Sequence, residues 1–450
     1  MCEGIMPIIT LFEHQKRPYE ELDWEPADPT LQQLEQLNEA AGAELLRLGR
    51  THLQATQFVG VVQLGETTLQ ILPKIDYDSV GDADARDDSR PFQAAMNSAT
   101  TNLLYLLSYT QDLQVKEQDI APLLAQRSSW FELLTRLFAM ELQRQIKPGL
   151  QRAYVSFEDT LPVMRGRWQL DRQLTRRPHV RHRFDVVYDE FSPDTPLNRI
   201  FRCVAERLLF LSREPGNRRL LRNISKWLID VERLGEITQT DLEAVHFTRL
   251  NQRFEPAFNF ARLFLENKAI QLAAGKDQTF AFVFDMNRLF EEFVYRFIVR
   301  YRQRILKNRW RQVRPRYQAK GRPIHLAEKV PSGKSVFRLE PDILFTSPSG
   351  RAVLVLDTKY KKLAHDQHRL GIAEGDMYQM LAYAVALDCP RALLLYPQAA
   401  GSLPTSARFD TLGYPHSVMA ATINLRQPLD HPENLIRELT QLFVEVSSYE

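Results

Sequence analysis

Apolar positions change period several times along the chain, and each change marks an element. Residues 57–75, QFVGVVQLGETTLQILPKI, alternate and break at Gly65-Glu66, which predicts a hairpin in a small β-rich front end. Residues 128–146 bring Trp130, Leu133, Leu134, Leu137, Phe138 and Leu142 onto one helical face, with Ser128 or Ser129 as N-cap and Glu132 close behind. Residues 153–170 read as strand material turning at RGR, and 192–212 as a helix with cap residues and Pro196 in its first turn. Further on, 284–305 steps Leu289, Phe293, Phe297 and Tyr301 by four, a long helix. Two strands follow around the turn TSPSG within 339–362, then a helix at 375–387, strands at 391–397 and 417–425, and a closing helix at 431–447.

This order predicts an α/β protein of mixed α+β, multidomain build. Four regions are expected: a β-rich domain at 1–75, an acidic linker at 76–90, a mainly helical region at 91–275, and an α/β domain with a mixed sheet at 276–450. A length of 450 residues agrees with two or three domains, and 44% hydrophobic residues are enough for real cores. The N-terminal residues do not read as a signal peptide, and no run of about 18 apolar residues occurs, so no membrane association and a cytoplasmic location are expected. Cys2, Cys203 and Cys389 lie far apart and form no metal spacing.

Net charge is only +2, but it is unevenly spread. Residues 296–322 hold eleven Lys or Arg and no acid, 164–183 hold seven Arg and one acid, and 76–88 hold six Asp. Basic runs interleaved with Trp and Tyr suit contact with a phosphate backbone. Arg309, Arg311 and Arg314 are the expected DNA-backbone residues.

The chemistry concentrates in LEPDILFTSPSGRAVLVLDTKYKK, residues 339–362. Val353, Leu354, Val355 and Leu356 form an apolar strand that runs straight into Asp357 and Lys359, while the partner strand starts at Asp342. If the strands pair, both carboxylates reach the same end of the sheet, where they repel unless a positive charge lies between them. Lys359 is one candidate. A hard divalent cation, Mg²⁺ with Mn²⁺ able to substitute, is the better one, held by Asp342, Asp357 and the backbone carbonyl of Thr358. Lys359 would then orient or deprotonate an attacking water and steady developing charge. Pro-Asp followed after fourteen residues by Asp-x-Lys is the signature of the PD-(D/E)xK nuclease superfamily. Gln379 and Tyr383, four apart on the next helix, resemble the Q-x-x-x-Y element of RecB-type nucleases, which contacts the substrate or holds the site lysine. Glu291, with Glu292 beside it, stands where superfamily members often place a supporting acid.

Over roughly 90–450 the chain resembles the McrC subunit family of McrBC-type, modified-cytosine restriction systems. The likeness rests on MRGRWQLDRQL (164–174), DEFSPDTPLNRIFRCVAERLL (189–209), MNRLFEEFVYRFI (286–298), LEPDILF (339–345), VLDTKYKK (355–362), DMYQMLAYAVAL (376–387), and LLLYP (393–397) followed by INL (423–425), in order and spacing. The resemblance implies a restriction-endonuclease-like C-terminal domain that cleaves modified double-stranded DNA with Mg²⁺. It also implies a McrB-like AAA+ GTPase hexamer as partner, docked through the middle region and stimulated by this chain. No nucleotide is expected on this chain itself: Gly333-Lys334-Ser335 lacks the glycine a P-loop needs at Glu328, and strand material follows it. Residues 1–90 depart from shorter family members.

Two other readings stay open. One is a stand-alone RecB-like repair or processing nuclease, which would cut without an NTPase. The other is a non-enzymatic activator of the ring, against which the intact Asp342, Asp357 and Lys359 argue. His179 and His182 are three apart but have no completing ligand, and no serine or cysteine nucleophile motif occurs.

Overall fold

The hairpin expected at 57–75 forms as Phe58–Leu64 and Thr67–Leu72, but it is the middle of a larger sheet. Described in this computed structural model are residues 8–25, 28–76, 90–115, 117–124, 128–175, 182–266, 270–272, 279–319, 323–363, 369–428 and 431–448. Ile8–Phe12 pairs parallel to Thr67–Leu72, while Thr279–Asp285 pairs antiparallel to Phe58–Leu64 and carries Ile270–Leu272 on its far side. The inner pairing depends on Gly60. Its φ is +141°, and a Cβ there would come within 2.1 Å of the Phe282 carbonyl oxygen, so no other residue fits without moving the strand.

Two compact units result, residues 1–131 with 269–450, and residues 132–268. The division differs from the expected one. Asp285 ends the inner strand and also N-caps the helix Met286–Arg300, accepting from the N–H groups of Asn287 and Arg288. Sheet and helix are therefore joined without a linker, and the expected boundary at 275/276 does not separate two bodies. The helix Arg90–Thr110 also belongs to the first unit, where Tyr105 and Tyr109 pack on Phe293 at 5.5 Å. The expected linker lies, at 77–89, outside the described residues.

The same unit contains a six-stranded mixed sheet in the order Arg314–Tyr317, Ile343–Thr346, Ala352–Thr358, Arg391–Pro397, Ser417–Ile423, Ser406–Asp410. Ala352–Thr358, Arg391–Pro397 and Ser417–Ile423 run parallel, with antiparallel strands at both ends. The three parallel strands are the continuous apolar runs of the sequence, as strands covered on both faces should be. Leu344, Val355, Leu394 and Ala420 meet Met380 and Tyr383 of the helix Glu374–Ala386. Phe345 meets Phe443 of the helix Glu433–Ser448 at 5.3 Å. Gly333 ends the turn of a hairpin of Ile324–Lys329 with Lys334–Leu339, and Lys334 and Ser335 begin its second strand. The long helix expected at 284–305 breaks at Tyr301 into Met286–Arg300 and Arg302–Ile305.

The second unit combines helices with a three-stranded antiparallel sheet of Ala153–Leu161, Phe184–Ser192 and Arg167–Trp168. Thr195 caps the helix Pro196–Leu211 through the N–H of Asn198. Buried Glu132 accepts from Ser212 Oγ, the Arg213 N–H and Asn217 Nδ2, each at 2.7 Å. Several side chains of the sheet, of the loop after Ala153–Leu161 and of the adjoining helix Leu170–Thr175 stay outside the core: Tyr154 is 76% exposed, Met164 60% and Leu174 71%. Among the described residues, no helix is long and apolar enough to cross a membrane.

Candidate active site

The pairing of Ile343 with Leu356 carries the antiparallel register one step further to Asp342 and Asp357, which therefore stand opposite each other at the end of the hairpin. Asp357 is 1% exposed. Thr358 donates its backbone N–H and its hydroxyl to Asp342 Oδ2 at 2.7 and 2.6 Å. Lys359 Nζ lies 2.7 Å from Asp357 Oδ2 and donates to Gln379 Oε1 at 2.9 Å. Gln379 Nε2 donates to the Tyr383 hydroxyl at 2.7 Å, and that hydroxyl donates to the Glu340 carbonyl at 3.0 Å. The four-residue spacing of Gln379 and Tyr383 thus becomes a bracket that holds the lysine from the helix side.

Of the two acids on the preceding helix, Glu291 faces this group and Glu292 does not. Gln318 Nε2 donates to Glu291 Oε1 at 3.0 Å, whereas Glu292 pairs with Arg296 at 2.8 Å. Gln318 also donates its backbone N–H to the Asp342 carbonyl at 2.7 Å, tying the edge strand to the hairpin end. Asp376 lies 3.2 Å from Lys361 Nζ and 3.9 Å from Lys359 Nζ. Sequence reasoning passed over Gln318 and Asp376. Asp376 carried a signal, since it precedes Gln379 by three residues and so shares its helix face. Gln318 carried none.

The electrostatics are those of a crowded anionic site. Burial raises the pKa of Asp342, the charge of Glu291 raises it further, and the Thr358 hydrogen bonds work against both. Burial likewise raises that of Asp357, with Asp342 adding to the shift and Lys359 opposing it. Burial also raises that of Glu291. For Lys359 burial acts against the charged form, but Asp357, Asp376 and Asp342 outweigh it and hold the ammonium above its ordinary pKa. Two adjoining carboxylates that resist ionisation together are a pair that a bound cation would relieve. One oxygen of each is engaged, Asp342 by Thr358 and Asp357 by Lys359, which leaves the other oxygen of each for a ligand. Among the described residues no three His, Cys, Asp or Glu side chains gather into a closed metal cage. The donor set suits Mg²⁺, which is commonly held by one or two carboxylates and completed by water and substrate phosphate.

The expected backbone arginines are not gathered here. Arg314 pairs with Thr346, at the opposite end of its strand from Tyr317, which pairs with Ile343. Arg309 and Arg311 are exposed on either side of buried Trp310. His179 lies outside the described residues.

Mixed sheet, hairpin carboxylates and bracketing helix together describe an α/β fold with a polar site at the end of its central strands. The profile of the family described as McrBC 5-methylcytosine restriction system component matches residues 53–397, and the chain belongs to that family. Its fold is similar to that of a chain in the refined half-complex from the tetradecameric assembly of Thermococcus gammatolerans McrB AAA+ hexamers with bound McrC. That likeness has 21% identity and a TM-score of 0.69 over 98% of this chain and 100% of that one. A chain of the cryo-EM structure of the Thermococcus gammatolerans McrBC complex is similar at 24% identity and a TM-score of 0.50, over 67% of this chain and 89% of that one. No curated protein sequence matches the chain.

Proposed function

We propose that this chain is the McrC-type nuclease subunit of a McrBC-like restriction complex, which docks on an AAA+ GTPase hexamer and cleaves modified double-stranded DNA. The observation that carries the nuclease reading is the arrangement of Asp342 opposite Asp357 with Lys359 bracketed by Asp357 and Gln379. Asp342, Asp357 and the Thr358 carbonyl would hold Mg²⁺, which supplies neutralisation of the phosphodiester charge and a more acidic bound water. Thr358 fixes the Asp342 carboxylate so that one oxygen faces the site. Lys359, with its pKa raised, stays protonated near neutral pH. Of its two candidate roles, that state favours donating hydrogen bonds to water and to the oxygen on which charge develops. Glu291 and Gln318 set the far wall, and Tyr383 supports Gln379.

The partner reading rests on the family and on solved relatives that hold McrB hexamers with McrC. In the second unit, exposed Tyr154 and Phe191 pack on each other at 5.2 Å, and Met164 and Leu174 are exposed as well, apolar side chains of the kind that protein contact covers. The test is reconstitution with a McrB-type AAA+ protein, GTP, Mg²⁺ and methylcytosine-containing duplex DNA. Wild type and Asp357→Asn should both bind the ring and raise GTP hydrolysis, and only wild type should cut. Equal cutting by Asp357→Asn would place the chemistry elsewhere.

A further inference from the structure

The basic run at 296–322 folds into a definite surface. The end of the helix Met286–Arg300, the short helix Arg302–Ile305 and the start of the strand Arg314–Tyr317 enclose a cleft of about 530 Å³. Its lining includes Arg300, Arg302, Arg304 and Arg314 and no Asp or Glu. Arg304 is engaged by Glu433, and the Arg300 guanidinium lies 5.3 Å from the centre of the Tyr109 ring. Among the described residues, neither Arg302 nor Arg314 forms an ion pair with an acidic side chain.

The strand Arg314–Tyr317, whose first two residues line the cleft, leads from it towards Asp342. Tyr295 lines the cleft and packs on Tyr317 at 5.0 Å. Tyr317 pairs with Ile343, and the next residue, Gln318, donates to the Asp342 carbonyl. Arg314 and Arg316 alternate along the edge strand, both exposed, so they share one face; Arg316 pairs with Leu344, two residues from Asp342, so it is also the face of that carboxylate. Alternate residues of a strand stand about 6.6 Å apart, close to the separation of successive phosphates along one nucleic-acid strand.

We infer that this cleft and the Arg314–Arg316 edge form a track for the sugar–phosphate backbone of the nucleic-acid strand that enters the Asp342–Asp357 site. The inference deepens the nuclease reading and rests on it for the direction of the track. It moves the backbone contacts from Arg309 and Arg311 to Arg302, Arg314 and Arg316. An acidic protein surface would be attracted by the same charges. The strand spacing of Arg314 and Arg316, and their place on the face that carries Asp342, favour a repeating polyanion.

The experiment is fluorescence anisotropy of the full chain with a short DNA duplex, without divalent cations, across a range of salt concentrations. Removing one arginine from a phosphate should lower the slope of log affinity against log salt by about 0.9. The triple variant Arg302→Gln, Arg314→Gln, Arg316→Gln should therefore lose about 2.7 from the slope and bind at least tenfold more weakly at low salt. The same three positions changed to Lys should keep most of the slope, and Arg309→Gln with Arg311→Gln should keep all of it. An unchanged slope in the Gln triple variant overturns the inference. So does an unchanged slope with weakened association to the AAA+ partner, which would make the cleft a protein-docking surface. If the Gln and Lys variants alike lose melting temperature and DNA affinity together, the arginines are structural and the inference also fails. Because no metal is present, binding is measured independently of cutting, and failure of Asp357→Asn to abolish cleavage would be a separate result.

Discussion

Thr358 donates both its backbone N–H and its hydroxyl to one oxygen of Asp342. That double contact fixes the carboxylate's orientation and leaves its second oxygen for a ligand. Thr358→Val keeps the N–H contact and the side-chain volume but removes the hydroxyl. A hydrogen bond to a charged group is worth about 1.5–3 kcal/mol. Cleavage by Thr358→Val should fall by roughly ten- to a hundredfold, measured as single-turnover rate in Mg²⁺. Asp342→Ala and Asp357→Ala should abolish it with binding to the AAA+ ring intact. A Thr358→Val rate equal to wild type would show that the carboxylate needs no such positioning.

Lys359 is held on two sides, by Asp357 at 2.7 Å and Gln379 at 2.9 Å. Lys359→Ala removes the donor itself and should slow cleavage by about 10²–10⁴-fold. Gln379→Leu removes only one of two anchors, so its effect should be smaller. Tyr383→Phe, which gives up the hydrogen bonds to Gln379 and the Glu340 carbonyl, should be smaller again. The order of the three rates is the check: a Tyr383→Phe defect as large as that of Lys359→Ala would mean the tyrosine does more than support the amide.

Away from the site, Glu13 is a buried carboxyl whose Oε2 accepts from the Lys74 N–H at 3.0 Å and whose Oε1 has no hydrogen-bond partner among the described residues. Burial, with Lys74 opposing, Asp285 adding and Lys362 opposing, pushes its pKa from 4.5 up to about 8. The folded chain therefore keeps a proton that the unfolded chain releases at lower pH. Stability from this group is accordingly fully present below pH 4.5 and is lost as pH rises towards 8. A tenfold difference in proton affinity between the folded and unfolded chain corresponds to about 1.4 kcal/mol, so the loss amounts to several kcal/mol. Glu13→Gln should melt close to wild type at pH 5 and several degrees above it at pH 8. Parallel melting curves across that range would contradict the assignment.

The site was more legible in the sequence than the domain division, for a physical reason. Asp342, Asp357 and Lys359 lie on two strands joined by one short turn, and Gln379 and Tyr383 on one helical face, so local spacing determines their neighbours. The apolar run Thr279–Asp285 also announces a strand. Nothing local says that it pairs with Phe58–Leu64, more than 200 residues away in the chain. Periodicity reports how much of a strand is covered, not by which partner. The edge strand Arg314–Tyr317 was hidden differently: RPRY alternates over only four residues and contains a proline, which weakens a strand reading, and only its pairing with Ile343–Thr346 makes it a strand.

That long-range pairing decides how the chain can be divided. A fragment ending at 275 would lose Thr279–Asp285 and strip the partner strand from Phe58–Leu64. It would also deprive Trp130 and Phe131 of Phe280, Phe282 and Phe284, whose rings lie 5.1–5.8 Å away. Such a fragment should aggregate, because it exposes both an unpaired strand edge and an aromatic core. Residues 132–268 hold their own anchors: buried Glu132 with Ser212 and Asn217, the Phe138–Phe264 contact at 6.0 Å, and capped Pro196–Leu211. This fragment should therefore be soluble, melt cooperatively, and raise GTP hydrolysis by a McrB-type AAA+ ring without cutting DNA. Replacing Tyr154, Met164 and Leu174 with Ser should abolish that stimulation with little change in melting, since all three side chains are mostly exposed. A folded 132–268 fragment that neither binds nor stimulates the ring would move the docking surface to the unit that carries Asp342 and Asp357.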